Sequence, residues 1–315
     1  MHRLVILGTG FVAGLILTRL ARDFARRIGL EDAPDGRRKT QSRPIPVAGG
    51  VAVLASSLLA IFLALLCFTD VADALTEDIH HSLALLCSAV LITSVGVVDD
   101  AQNLRARYKF FGQLAAVGIL IGPGDFLIEH ISLLGWAVPL GVFAVPFTAF
   151  WLLACINALN LIDGMDGLLG TVGLIALMSL AVIATMVGHQ FTAVVALAMA
   201  GAMIGSLWYN LPPASIYIGD SGSMLIGLVI GALAIPASLK GPATVALGAP
   251  VALLVLPMMD TTAAVIRRKL TGRGLATADR GHLHHVLQRN GLTTRRALLL
   301  VAVLGVIAAR TASRG

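Results

Sequence analysis

Two adjacent carboxylates, Asp99 and Asp100, directly follow the apolar run 91–98. Acids at the end of an apolar segment are energetically costly to bury, so a functional role is the first interpretation and the start of a hydrated loop is the second. Cations then alternate along the chain after Asn103, at Arg105, Arg107 and Lys109. Such a mixture of acids, an amide and cations suits a phosphate bound with a metal ion better than a simple ion pair.

A second polar cluster follows the apolar stretch 138–156. Its members recur at every third position, at Asn157, Asn160, Asp163 and Asp166. This spacing puts all four side chains on one face if the segment is helical. Glycines and Asx residues also form turns, but a turn needs one or two such residues rather than four in register. We therefore expect a ligand site here.

A third cluster, 217–223, contains the single carboxylate Asp220 between Gly219 and Gly222, at the start of another apolar stretch. Amides at a helix N-terminus can bind an anion there. Asp220 can alternatively cap the helix. The cluster gains weight because it is predicted to lie on the same side of the protein as the other two.

A fourth cluster combines histidines with arginines. Its members are Arg268, Arg280, His282, His284 and His285. Three close histidines would suit Zn²⁺, but no nearby cysteine completes a tetrahedral set and the neighbouring cations disfavour a metal ion. A pocket for an anion is the better interpretation.

The elements that position these clusters are apolar. Of 315 residues, 57% are hydrophobic and 13% charged, and the mean hydropathy is +0.88. Soluble domains carry roughly 25% charged residues, so a soluble globular protein is excluded. Ten apolar stretches approach the roughly 20 residues that cross a bilayer as a helix: 3–20, 48–68, 82–98, 110–122, 138–156, 168–187, 191–209, 222–239, 243–258 and 297–309.

The net charge of +6 is explained by topology. Most of the 23 lysines and arginines fall in the first, third and ninth connections between these stretches. Because positive loops stay in the cytoplasm, these connections are predicted to be cytoplasmic and both termini to be outside. All four clusters then face the cytoplasm, nucleic acid is not needed as a partner, and binding of anionic lipid or phosphate is a secondary interpretation.

Four ordered motifs carry a family resemblance: DDAQNLRARYK, NALNLIDGMDGL, IYIGDSGS and DRGHLHH. Together they resemble the polyprenyl-phosphate N-acetylhexosamine-1-phosphate transferases over residues 37–291. The His-Leu-His-His form and Asn103 are closer to the bacterial undecaprenyl-phosphate N-acetylglucosamine-1-phosphate transferases. The related phospho-N-acetylmuramoyl-pentapeptide transferases usually carry lysine at the position of Asn103 and three consecutive histidines.

The resemblance implies an all-α polytopic integral membrane protein with about ten transmembrane helices. It implies one transferase domain, 1–315, in the bacterial inner membrane, with its active site on cytoplasmic loops. In the implied reaction, undecaprenyl phosphate attacks the β-phosphorus of a UDP-N-acetylhexosamine and UMP is released, which initiates cell-envelope glycan synthesis. The implied cofactor is Mg²⁺, with Mn²⁺ as a substitute. A homodimer is a further expectation.

The resemblance also implies residue roles. Metal ligands are Asn160 and Asp220. Catalytic residues are Asp99, Asp100, Lys109 and Asp163, and substrate-binding residues are Asn103, Asn157, Asp166, Arg268, Arg280, His282, His284 and His285. Asp99 is either a base or a group that orients Lys109 or the metal, and we favour orientation because a phosphate monoester is already mostly dianionic at pH 7.

Three alternatives stay open from the sequence. The first is the muramoyl-pentapeptide branch of the same superfamily. The second is a transporter or channel whose acids bind a cation within the membrane, which the absence of a visible repeat and the position of the acids at helix ends disfavour. The third is a catalytically inactive membrane scaffold, which the presence of every motif acid disfavours.

Overall fold

The structure is a computed structural model that describes residues 2–33, 43–133 and 136–239. Its described part is a bundle of α-helices with two short two-stranded sheets. The helices are α1 (His2–Ile28), α2 (Gly49–Cys67), α3 (Thr69–Glu77), α4 (Ile79–Gln102), α5 (Ala106–Ile121), α6 (Ala144–Ile162), α7 (Leu168–Met186), α8 (Gln190–Asn210) and α9 (Gly219–Leu239). The antiparallel strand pairs are β1 (Glu31–Asp32) with β2 (Ile45–Pro46), and β3 (His130–Leu133) with β4 (Trp136–Pro139).

Six of the described helices are long and apolar enough to cross a membrane: α1, α2, α4, α6 with the turn that precedes it, α7 and α8. The protein is therefore a multi-pass membrane protein. Helices α5 and α9 also coincide with predicted apolar stretches, but α5 has only 16 residues and the apolar part of α9 is shorter than a full span. The expected count of ten spans is not confirmed, and the stretches 243–258 and 297–309 lie outside the described residues.

The fifth predicted stretch, 138–156, is displaced in the structure. Strand β4 extends to Pro139, a 3₁₀ turn occupies Gly141–Phe143, and α6 then continues to Ile162. Proline lacks a backbone donor and Gly141 has a φ of +51°, so neither favours a helix that begins at residue 138. The later ending of α6 is important because it carries Asn157 and Asn160 inside the helix.

Small residues allow the helices to approach closely. Along α1 and α8 the pairs Gly10 with Gly14 and Gly201 with Gly205 lie at the contact, and a Cβ on Gly10 would come within 2.7 Å of the carbonyl oxygen of Ala198. This spacing of small residues is typical of tightly packed membrane helices. In α4, a Cβ on Gly96 would lie 2.7 Å from the carbonyl carbon of Asp220. The absence of a side chain at Gly96 therefore lets the first turn of α9 pack directly against α4.

The first three polar clusters, which lie in the described part of the chain, meet at one end of the bundle. Helices α4 and α6 end there, and α5 and α9 begin there, because successive long helices run in opposite directions. The β1–β2 pair lies at the same end, and Val47, which follows β2, forms a parallel bridge with Tyr217 just before α9. Helix α3 and the β3–β4 pair lie at the opposite end of the bundle.

Candidate active site

Lys109, in the first turns of α5, is at the centre of the site. Its Nζ lies 2.7 Å from Oδ2 of Asp99 on α4 and 2.6 Å from Oδ2 of Asp220 on α9. It also donates to Oδ1 of Asn160 on α6, at 3.4 Å. The side chain of Lys109 is 17% exposed and that of Asp99 is 8% exposed, so these charges are largely removed from solvent. Four helices therefore converge on one ammonium group.

Asn160 links the lysine to α9. Its Nδ2 donates to Oδ1 of Asp220 and, at 2.8 Å, to the hydroxyl of Ser223. Ser223 is fully buried one turn into α9. The two residues expected to be metal ligands, Asn160 and Asp220, thus lie side by side, and each has an oxygen atom that accepts from Nζ of Lys109.

Asp100 has a different environment from its neighbour Asp99. Its Oδ1 accepts the backbone N–H of Asp220 at 2.8 Å, and its Oδ2 accepts that of Ser221 at 3.1 Å. These are free N–H groups of the first turn of α9, so a side chain of α4 caps α9. The geometry gives Asp100 the task of positioning Asp220, and the catalytic role expected for Asp100 stays a prediction.

Gly219 makes this cap possible, which leads to a prediction on stability. Its φ is +74°, and a Cβ here would lie 2.8 Å from Oδ2 of Asp100. Gly219→Ala should therefore destabilise the protein by about 1–2 kcal/mol from the backbone alone. We expect the melting temperature in detergent to fall by several degrees.

Gly118→Ala is the matched control for Gly219→Ala. Gly118 is in the last turn of α5, and a Cβ there would meet nothing within 4 Å. The control should leave the melting temperature unchanged or raise it slightly, because alanine is the better helix former. Equal melting temperatures for the two variants would contradict the assigned role of Gly219.

The expected single face of Asn157, Asn160, Asp163 and Asp166 is wrong, because α6 ends at Ile162. The last two acids lie instead in the connection to α7, where Gly167 has a φ of +73°. Oδ2 of Asp166 accepts the backbone N–H of Ala214 at 2.9 Å, which ties this connection to the one before α9. The two acids still lie at the same end of the bundle as Lys109.

Asp163 reports on the electrostatics of the site. Burial, together with the negative charges of Asp220 and Asp100, raises its pKa to about 8, against the opposing effect of the Gly219 N–H. The site thus carries more carboxylates than its lysine can neutralise. Such an excess of negative potential favours a bound cation.

The donor atoms fit Mg²⁺. Among the described residues, no three histidine, cysteine, aspartate or glutamate side chains are grouped so that they could hold a metal ion by themselves. Mg²⁺ does not require such a group, since it usually takes one or two carboxylates together with substrate phosphates and water. Asn160 and Asp220 supply hard oxygen atoms of the required kind.

Other predicted site residues lie at the edge of this cluster or beyond the described part. Asn103 is exposed, ends α4 with a φ of +50° and donates its backbone N–H to the carbonyl of Asp99 at 2.8 Å. Asn157 faces Gln113 rather than open space, a contact that the sequence interpretation missed. The remaining candidates lie outside the described residues: Arg268, Arg280, His282, His284 and His285.

These features are those of a membrane-embedded transferase, and the chain belongs to glycosyl transferase family 4, which matches residues 82–238. The matched segment includes all of α5 and α6 and the polar ends of α4 and α9, which together form the site. Its relatives are polyprenyl-phosphate enzymes by name. The chain is 31% identical over 301 residues to the "Probable undecaprenyl-phosphate N-acetylglucosaminyl 1-phosphate transferase" of Bacillus subtilis, covering 93% of this chain and 79% of that protein.

Two further relatives have related names. The decaprenyl-phosphate N-acetylglucosaminephosphotransferase of Mycolicibacterium smegmatis is 32% identical over 342 residues, with 99% of this chain and 82% of that protein covered. The undecaprenyl-phosphate alpha-N-acetylglucosaminyl 1-phosphate transferase of Escherichia coli O157:H7 is 29% identical over 318 residues, with 97% and 83% covered. The resemblance seen in the sequence motifs is thereby confirmed.

Proposed function

We propose that this protein transfers N-acetylglucosamine-1-phosphate from UDP-N-acetylglucosamine to undecaprenyl phosphate, releases UMP and so initiates a lipid-linked envelope glycan. The observation that carries the proposal is the convergence of Asp99, Asn160 and Asp220 on Lys109 at one end of a membrane bundle. The names of the relatives support the donor and acceptor classes.

The main difficulty of this reaction is the repulsion between its two anionic substrates, and the site contains a cation that can reduce it. Lys109 binds the acceptor phosphate and lowers the repulsion between the two partners. Asp99 holds the lysine in place, since its Oδ2 faces Nζ while its Oδ1 accepts the backbone N–H of Leu104 at 2.7 Å. With both oxygens engaged, Asp99 is better placed to orient Lys109 than to remove a proton.

Asn160 and Asp220 are the ligands that we assign to Mg²⁺, for which Mn²⁺ would substitute. When bound, the ion would offset the charge of the UDP diphosphate. Ser223 and Asp100 keep these ligands in place through the hydroxyl contact to Asn160 and the cap on α9. In this proposal Asp163 and Asp166 face the nucleotide. The diphosphate or sugar is bound by Arg268, Arg280, His282, His284 and His285.

The test of the function is a transfer assay with purified protein. Undecaprenyl phosphate, Mg²⁺ and a panel of UDP-sugars are incubated with the protein, and UMP release is measured. We expect UMP with UDP-N-acetylglucosamine. UMP only with UDP-N-acetylmuramoyl-pentapeptide would assign the protein to the muramoyl branch, and no UMP with any donor and polyprenyl phosphate would overturn the proposal.

We propose further that the site faces the cytoplasm from the bacterial inner membrane. The support is the positive charge at the site end, where α1 finishes with Arg26 and Arg27 and α5 starts beside Arg105. Topology labelling gives a direct prediction. In a background without native cysteines, Asn103→Cys should resist an impermeant thiol reagent in intact cells and react after the cells are opened.

Asp73→Cys is the matched control for this labelling. Asp73 is exposed on α3, at the opposite end of the bundle, and should react in intact cells. Labelling of Asn103→Cys but not Asp73→Cys in intact cells would place the site outside the cell and contradict the proposed cytoplasmic orientation.

A further inference from the structure

A second layer of side-chain contacts lies about one helical turn further into the bundle than the site. It contains Gln113, Asn157 and Met224, which belong to α5, α6 and α9. These are the same helices that carry Lys109, Asn160 and Asp220, and each deeper residue is displaced by about one helical turn from the site residue on its own helix. Gln113 is 2% exposed and Met224 is completely buried.

Gln113 contacts both of the other members. Its Oε1 accepts Nδ2 of Asn157 at 2.9 Å, and its Nε2 donates to Oδ1 of Asn157 and to Sδ of Met224, both at 3.4 Å. Asn157 also donates Nδ2 to the carbonyl oxygen of Leu153 at 2.8 Å. The amide pair therefore satisfies its own polar groups within the apolar bundle.

The reciprocal amide pair fixes the position of α5 relative to α6 along the helix axes. An amide buried without a partner is costly, so sliding α5 against α6 would break the reciprocal pair and leave polar groups exposed to apolar surroundings. Because a helix is stiff over one turn, the relative height of Gln113 and Asn157 also sets the relative height of Lys109 and Asn160. The same argument extends to α9 through Met224.

We infer that Gln113 is a positioning residue, which fixes α5 against α6 and α9 through Asn157 and Met224 so that Lys109 meets Asn160 and Asp220. The inference assigns Asn157 to the same task, in place of the substrate contact expected from the sequence. Its effect on catalysis rests on the proposed transferase function, whereas its effect on the position of Lys109 does not.

The first test measures the reactivity of Lys109 without substrates. A small neutral acylating reagent is applied to the purified protein, and modification of Lys109 is quantified by mass spectrometry. In the wild type the two carboxylates protect the amine. Gln113→Leu should increase the modification rate several-fold, and the swapped variant Gln113→Asn with Asn157→Gln should return it towards the wild-type rate.

The second test measures steady-state kinetics of the same variants. Gln113→Leu should lower kcat on the order of 10²-fold, because a displacement of about 1 Å in a catalytic group has effects of this size. The KM for the UDP-sugar should change little, and the swapped variant should recover much of kcat. A raised KM with kcat unchanged would instead identify Gln113 as a substrate contact and overturn the inference.

Ser88→Ala is the matched control. Ser88 on α4 donates its hydroxyl to the carbonyl oxygen of Ala116 on α5 at 2.9 Å, so this variant also removes one buried bond to α5, further from the site. It should leave Lys109 reactivity and kcat close to wild type. If Gln113→Leu and the control have the same Lys109 reactivity, the inference is wrong. This test needs no substrate, so it is independent of the proposed function, which fails separately if the wild type releases no UMP.

Discussion

An Asp220→Ala variant is expected to lose transfer activity by about 10³-fold or more at every Mg²⁺ concentration. Removal of a single preorganised electrostatic group from an active site commonly costs about 10²–10³-fold. Asp220 has two such tasks, since one oxygen faces Lys109 at 2.6 Å and the other faces the amide of Asn160. The loss should therefore lie at or above the upper end of that range.

UMP release measured over a series of Mg²⁺ concentrations checks this expectation. The control is Asp73→Ala, which removes an exposed acid on α3 at the opposite end of the bundle and should behave as wild type. Binding of Mn²⁺, followed by electron paramagnetic resonance, gives a second readout and should weaken only in the Asp220 variant. Near-normal turnover of Asp220→Ala at limiting Mg²⁺ would show that the metal assignment is wrong.

The second large effect is expected for Asp99→Asn, with a loss of about 10²-fold or more that persists as the pH rises. An acceptor phosphate with a second pKa near 6 becomes fully dianionic by about pH 8. If Asp99 were the base for that phosphate, the defect would shrink above pH 7, because the acceptor would ionise unaided. The contact of 2.7 Å between Asp99 and Lys109 instead indicates orientation of the lysine, which solvent hydroxide cannot replace.

The measurement is the ratio of wild-type to variant kcat between about pH 6.5 and about pH 9, a range in which the acceptor completes its ionisation. Saturating UDP-sugar and an unchanged melting temperature ensure that the ratio reports on the catalytic step in a folded protein. A constant ratio supports orientation. Recovery of Asp99→Asn to near the wild-type rate at alkaline pH would establish the base role instead.

Gln113 shows what attention to single polar residues would have added to the sequence interpretation. It is a polar residue within the predicted apolar stretch 110–122, and polar groups in such stretches usually have a partner or a function. The sequence therefore indicates that Gln113 needs a partner. It does not identify that partner, because Asn157 lies 44 residues further along the chain and the pairing depends on how α5 and α6 pack.

The α6 connection shows where periodicity misleads. A spacing of three residues describes a helical face only as long as the helix continues, and α6 ends at Ile162 before Asp163 and Asp166 are reached. The glycines that permit the sharp turn were visible in the sequence. Their positive φ values and the contact of Asp166 with the backbone of Ala214 depend on the packed structure.

The sequence by itself determined the membrane class, the location of the first three polar motifs at a common end of the bundle, and the family resemblance, because hydropathy and motif order are local properties of the chain. It could not separate the tasks of Asp99 and Asp100. Successive residues on a helix point about 100° apart, so one acid faces Lys109 and the other faces the first turn of α9. Only the tertiary structure decides this, because Lys109 and Asp220 are 111 residues apart and meet through helix packing.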